Sequence, residues 1–425
     1  MTEETVSQTE RQTPHRLYPG WIVLAGCFTS AMLVIGGTIY IYQLLVLPIT
    51  EEFGITRGEA SSGFIAMLLG IAFWSPILGR LYDRFSVKWL MPAGAVAYAT
   101  GFIIISSTSS LTVILVAIAL CLGPAMVLAG GLAANTITTR WFERRRGRAL
   151  GVASVASSAG GFVMVPALTA LIENYGWRDA LFVMAIAVGS IIVLTGLFVA
   201  RDRPEKRQLA AYDELLKTTE NNEQGGEEWT FRRLMTSRNF WLMTLGIGLL
   251  LASDQAILTS QYPFMVDIGF SAAQAASVVT AMTGSAIAGK LIVGYLAERF
   301  DIRFLYGLVA LFHALLLGVF LLQPSYLGML IFASIFGAAV GGIYPVWSVL
   351  CSKAFGAQNF GTAFGATALF TQIMAMFFVG FINNSFDSTG SYSLAFTAFL
   401  GAVALGMLVI WAIRLDRDKS AHSRP

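Results

Sequence analysis

The chain is 425 residues long, 56% hydrophobic and only 12% charged, with a formal net charge of +3. Soluble globular domains carry about 25% charged residues, so this composition excludes an ordinary soluble fold and points to a chain that crosses a bilayer many times. The small net charge offers no electrostatic footprint for nucleic acid, and the three cysteines, Cys27, Cys121 and Cys351, include no CxxC pair for a metal site or a disulfide framework.

The first 19 residues are polar, with Glu3, Glu4 and Glu10, unlike a cleavable signal peptide. Apolar runs then follow near 20–47, 59–79, 89–107, 111–136, 148–172, 178–200, 239–264, 272–297, 304–323, 327–350, 362–382 and 393–413. About 20 consecutive apolar residues suffice for a membrane-spanning helix. The spacing therefore predicts an all-α membrane protein with twelve transmembrane helices. The only long polar interval, 201–238, lies between the sixth and seventh runs and reads as a cytoplasmic linker with a short amphipathic helix near 209–217. The expected organisation is a cytoplasmic tail (1–19), a six-helix bundle (20–200), the linker (201–238), a second six-helix bundle (239–413) and a cytoplasmic tail (414–425).

Charge fixes the expected orientation. With the N-terminus inside, 25 of the 28 Lys and Arg fall in inner segments, Arg57 and Arg178 fall outside, and Lys290 alone lies within an apolar run. Lys and Arg accumulate on the cytoplasmic side of short loops, so both termini are expected in the cytoplasm and the protein in the cell's inner (plasma) membrane.

Two segments duplicate each other. Gly79-Arg-Leu-Tyr-Asp83-Arg84-Phe85-Ser-Val-Lys88 follows the second run, and Gly294-Tyr-Leu-Ala-Glu298-Arg299-Phe300-Asp-Ile-Arg303 follows the eighth, 215 positions later. Arg140-Trp141-Phe142 with Gly147 to Gly151 is paralleled by Ala354-Phe355 with Gly361 to Gly365, at an offset of 214. Such a parallel repeat of two six-helix halves suits a transporter. The Gly-x-Leu-x-Asp-Arg turn also serves as a plain positive-inside hairpin, although two copies in register weigh against that reading.

The first of these turns resembles the signature loop of the major facilitator superfamily. Together with Gly20-Trp21, the Arg140-Trp141-Phe142 turn and Gly176-Trp177-Arg178, the chain is similar to that superfamily's monocarboxylate and oxalate/formate branch. The resemblance spans all twelve runs and implies two bundles rocking about a midplane site. It implies gate residues at Gly79, Asp83, Arg84, Arg140, Gly294, Glu298 and Arg299, the glycine admitting a close neighbour. Trp141 and Trp177 are in addition expected to anchor at the membrane interface.

The resemblance also implies a substrate cation in the eighth run, four residues before the motif glycine. That position holds Lys290, which keeps the charge but not the planar fork of an arginine. A buried cation is expensive unless it faces water or a partner, so Lys290 either serves a site or snorkels to the inner interface. Asp254, the carboxylate well inside an apolar run, is the candidate for proton coupling, for pairing with Lys290, or for simple helix–helix adhesion. The family's usual acid before the eighth-run cation falls on Ala286, and a first-run lysine of some members falls on Ile39. By the same resemblance Tyr40 and Tyr344 line the substrate cavity, their alternative being ordinary packing, while Asn135 and Gln372 are buried amides with weaker claims. Thr367 occupies the place of the second cation of dicarboxylate-handling members, which argues for one substrate charge. His313 reads as structural.

The sequence has no GxxxxGK[ST] loop, HExxH or GxSxG, so neither an ATP-driven pump nor an enzyme is expected, and no cofactor or metal. The expected function is secondary-active transport of a small organic anion, a monocarboxylate being the favoured cargo, by proton symport or anion exchange. A proton-driven exporter of an amphipathic or aromatic compound is the alternative, and a non-transporting membrane sensor is an alternative of another class. The expected partners are the organic anion, protons and the lipid bilayer.

Overall fold

A computed structural model describes residues 19–142, 146–201, 229–297, 299–356 and 360–413. The two tails, most of the linker including 209–217, Glu298, and the side chains of Asp83, Arg84, Asn135 and Arg140 with the surroundings of Gly79 lie outside the described residues.

Among the described residues twelve long helical rods follow one another, with a short helix, Phe231–Thr236, before the seventh and no strand. The rods are α1 (Pro19–Phe53), α2 (Arg57–Arg84), α3 (Val87–Ser107), α4 (111–141) and α5 and α6 (146–175 and 177–198). The second set is α7 (Arg238–Asp267), α8 (Ala272–Leu296), α9 (Ile302–Leu322), α10 (Tyr326–Phe355), α11 (Phe360–Thr389) and α12 (Ser393–Trp411). Ten stretches of the described residues are long and apolar enough to cross a membrane, α5 and α6 counting as one and α2 not among them. The rods outrun the apolar segments. α2 continues helically to Arg84, so most of the first charged motif is helix and the chain turns only at Phe85 and Ser86, whose hydroxyl caps α3. Apolarity stops at the edge of the hydrocarbon, whereas a helix continues while its backbone groups find partners.

α1 and α4 are not uniform. Each carries one π-helical turn, Gly36–Tyr40 in α1 and Ile118–Leu122 in α4, and α4 breaks again at Gly130. π-turns insert one residue into the helical register and often occur at functional sites. Gly176 (φ +79°) divides α5 from α6 with no loop between them, a backbone region that a side chain rarely adopts.

Within the first set, α1 packs on α5, α3 on α4 and α6, and α2 on α4; within the second, α7 packs on α11 and α12, α9 on α10 and α12, and α8 on α10. The two bundles meet through α5 against α8, α2 against α11, and the end of α1 against α7. The duplication is visible in structural detail. Thr56 and Glu59 form a capping box at the start of α2, and Ser271 and Gln274 form one at the start of α8, again 215 positions on. The α2–α4 crossing brings Gly123 onto Gly70, and the α8–α10 crossing brings Gly337 onto Met282 and Ser285.

Small residues let α8 and α10 approach closely, as expected where apolar lipid provides no hydrophobic drive between helices. A Cβ at Gly289 would collide with the Ala338 carbonyl oxygen. Gly294, the second-half counterpart of Gly79, has nothing within 4 Å of the place a methyl group would occupy, so the close approach in this half belongs to Gly289 instead. Forcing atoms into a packed contact costs about 1–3 kcal/mol or more. Gly289→Ala is therefore expected to lower the thermal unfolding midpoint in detergent by several degrees. Gly318→Ala in α9, which meets open space, should leave the midpoint unchanged or raise it.

Candidate functional site

The site is built on the seam between α5 and α8. Ser154, Ser157, Ser158 and Gly161 recur at helical spacing along one face of α5. Their small size lets α1 and α8 come close: a Cβ at Gly161 would lie 2.5 Å from the Tyr40 ring and 2.8 Å from the Thr283 methyl. α8 answers with Thr283, Ala286 and Lys290, again one face.

Lys290 does not snorkel. Its side chain crosses the seam, and its ammonium donates to the Ser154 carbonyl oxygen at 2.8 Å and to the Ser157 hydroxyl at 2.5 Å. Only 6% of the residue is accessible. An ammonium has three donors; two are used, and both acceptors are neutral and belong to the other bundle. Among the described residues no ion pair joins Lys290 to Asp254, although each lies within the other's electrostatic field.

Tyr40, Asp254 and Tyr344 gather beside this seam. Tyr40 stands at the end of the α1 π-turn with Ser158 next to its phenol, within electrostatic range of Asp254 and near Tyr344. Tyr40 and Asp254 are half-buried. Tyr344 is 38% accessible. Asp254 makes no ion pair among the described residues. Aromatic rings flank Tyr344: it lies 5.9 Å from Trp347, which stacks on Phe364 at 4.0 Å. The Trp347 indole donates to the Thr367 hydroxyl at 3.2 Å, fixing the plane of the ring.

The remaining candidates are dispersed. Gln372 is half-buried on α11 with its carbonyl oxygen unpartnered. His313 is fully buried on α9, with Nε2 3.0 Å from the Ser253 hydroxyl. At the second charged motif, the Arg299 guanidinium lies 4.4 Å from the Tyr295 ring centroid. Neither tryptophan is a surface anchor. Trp141 is 1% accessible and donates to the Arg201 carbonyl at 2.8 Å, tying α4 to the end of α6. Trp177 donates to Glu52 at 2.8 Å, and Arg178 holds the same carboxylate and the Ser106 carbonyl, clasping α6 to the ends of α1 and α3.

Several residues escape a reading of the sequence. Ser154 and Ser157 are announced only by the run of small residues from 151 to 161, and Trp347 only as one apolar residue among many. Arg57 is the most consequential omission. Its guanidinium donates to both oxygens of Asp267 on α7, one at 2.7 Å, and to the Tyr392 hydroxyl before α12. It lies 4.1 Å from the Phe386 ring centroid. Asp387 accepts from the backbone N–H groups of Arg57 and Gly58 at 3.0 and 2.5 Å. The bundles are thus joined at the end opposite the two duplicated charged motifs.

Comparison with known proteins agrees with this architecture. A family model described as "Major Facilitator Superfamily" matches residues 26–379. An MFS-type transporter of Gibberella moniliformis is 24% identical over 86% of this chain and 84% of its own. Monocarboxylate transporter 12 of Rattus norvegicus is 24% identical over 89% and 82%, and an uncharacterized MFS-type transporter of Bacillus subtilis is 23% identical over 90% and 92%. Among solved structures, a bacterial homolog of the human lysosomal transporter Spinster, inward-facing and unoccupied, superposes with a TM-score of 0.64 at 16% identity, covering 94% of this chain and 95% of that one.

The seam geometry is testable on stability. Removing one acceptor from a buried charged donor costs about 1–3 kcal/mol. Ser157→Ala is expected to lower the unfolding midpoint by a few degrees, whereas Ser154→Ala, whose hydroxyl only bonds back to Gly151 within its own helix, is expected to be near neutral.

Proposed function

The chain belongs to the Major Facilitator Superfamily, and from that premise we propose that it is a secondary-active transporter of a small organic anion, a monocarboxylate in the first instance, working by alternating access. That it is a membrane transporter rather than an enzyme follows from the family and from its transporter relatives; the cargo and its coupling are the proposal. One observation carries it. Lys290 is a buried cation whose two hydrogen-bond acceptors are both neutral, so its charge is solvated but not neutralised. A carboxylate entering the adjacent cavity would supply the missing counter-charge, and charge-assisted hydrogen bonds are about twice as strong as neutral ones. Similarity to monocarboxylate transporter 12 supports the same class.

In this reading Tyr40 and Tyr344 shape the cavity, with Asn135 and Gln372 supplying further polar contacts. Asp254, near Lys290 but unpaired with it, carries a coupling proton; ionisable groups inside a membrane protein commonly mark proton paths. Gly79, Asp83, Arg84, Arg140, Gly294, Glu298 and Arg299 form the gate at the opposite end from Arg57. We place both termini and this gate on the cytoplasmic side of the plasma membrane, from the distribution of Lys and Arg. A second reading is favoured by the aromatic wall of Tyr344, Trp347 and Phe364: proton-driven export of an amphipathic aromatic compound, with Asp254 and Lys290 serving each other.

Purified protein in liposomes is expected to take up a labelled monocarboxylate. Lys290→Ala should abolish uptake and Lys290→Arg should retain part of it; normal uptake in the alanine variant would remove Lys290 from the site. Asp254→Asn is expected to uncouple uptake from an imposed pH gradient while leaving counter-exchange of the same anion intact. Uptake that stays pH-driven in that variant would exclude Asp254 as the proton carrier. Preference for neutral aromatic compounds over carboxylates in the same liposomes would favour the second reading.

A further inference from the structure

The 215-residue repeat allows each group in one bundle to be compared with its counterpart in the other, and at the Arg57 end the comparison exposes an exchange. Glu52, at the end of α1, corresponds to Asp267, at the end of α7. Trp177 corresponds to Tyr392, each the aromatic at the start of the sixth helix of its bundle. In the first bundle the acid is satisfied from within: Trp177 and Arg178 both donate to Glu52. The counterpart of Arg178 in the second bundle is Ser393, which carries no charge. Asp267 therefore has no cation of its own at that place, and its cation is Arg57 of the first bundle. The aromatic platform is exchanged in the same way. Arg178 lies on Trp177 at 4.4 Å, whereas Phe386 of the second bundle carries Arg57 at 4.1 Å, with Tyr392 at 5.9 Å.

We propose that Arg57 is the gate residue of this end: it replaces an in-bundle cation at the Asp267 site, which turns an internal clasp into a latch between the bundles. The first bundle's clasp stays closed throughout the transport cycle, because both partners move together. The second bundle's latch must break each time the central site opens toward this end. The pairing is bidentate and lies over an aromatic face, and the Arg57 side chain is only 12% accessible against 28% for Asp267. It therefore keeps strength that an exposed ion pair loses to water. Asp387 contributes by accepting the first backbone N–H groups of α2, where the helix end favours a negative charge. The latch does not depend on which compound is carried.

The exchange supplies its own test, because the missing cation can be put back. Spin labels at Ser109→Cys and Ser325→Cys, exposed sites in the α3–α4 and α9–α10 connections of this end, report the separation of the bundles by pulsed electron paramagnetic resonance. Cys27, Cys121 and Cys351 are replaced by alanine, and the protein is held in lipid nanodiscs without substrate. The unmodified latch is expected to give predominantly the short distance. Arg57→Ala should raise the ratio of long to short distances by about tenfold or more, equivalent to about 1.4 kcal/mol. Ser393→Arg, which leaves Arg57 in place but offers Asp267 a cation within its own bundle, should shift the ratio in the same direction. Arg57→Lys should fall between the two extremes, since it keeps the charge and loses the fork. An unchanged distribution in either Arg57→Ala or Ser393→Arg overturns the proposal. If the alanine variant does not fold, Ser393→Arg alone decides.

Discussion

A cation among hydrocarbon side chains must find oxygen, and Lys290 finds it on the other half of the molecule. Every helix around the site is arranged to permit this. α5 is stripped to Ser154, Ser157, Ser158 and Gly161 along the face that meets α8, so the lysine stem fits between the rods and its ammonium reaches a carbonyl and a hydroxyl. Two neutral acceptors offset part of the desolvation cost but leave the charge standing. The interface between the bundles is thus held by a buried cation whose two hydrogen-bond acceptors are both neutral.

Much of this architecture is legible in the sequence because membranes impose simple rules. Apolar run length announces a crossing, the excess of Lys and Arg announces a side, and the 215-residue spacing between Gly79 and Gly294 announces duplication. The capping boxes at Thr56 and Ser271 fall on the same spacing. What stays hidden are long-range pairings between residues with no local pattern. Arg57 reads from sequence as one of two stray outer charges, while its partners lie 210 and 330 positions away. Trp141 and Trp177 read as interface anchors because tryptophan is common there; the structure turns both inward to tie helix ends together. Lys290 is legible as a cation inside its helix, but whether its side chain snorkels is decided only by the residues of α5 opposite it. The family resemblance, in turn, supplies the positions of Tyr40 and Tyr344 but not the Trp347–Phe364 stack beside them.

The two ends of the molecule use different chemistry. The Arg57 end is fastened by charged and aromatic groups that reach across from one bundle to the other, whereas the middle is fastened by small residues and a single ammonium. Bidentate Arg–carboxylate hydrogen bonds depend on geometry and are lost when the partners separate and water enters. Small residues let rods approach closely without a directional bond between them. A molecule built this way can part at its rim while its centre continues to touch.

The loopless joint at Gly176 has a mechanical consequence. α5 contains 30 residues, a rod of about 45 Å. One end region contacts the ammonium of Lys290, and the other passes directly into the clasp of Trp177 and Arg178 on Glu52 and Ser106. With no slack segment to absorb it, a push on Ser154 or Ser157 is transmitted along the rod to the ends of α1 and α3. α5 is therefore a lever whose load is the Lys290 seam and whose fulcrum is a single glycine.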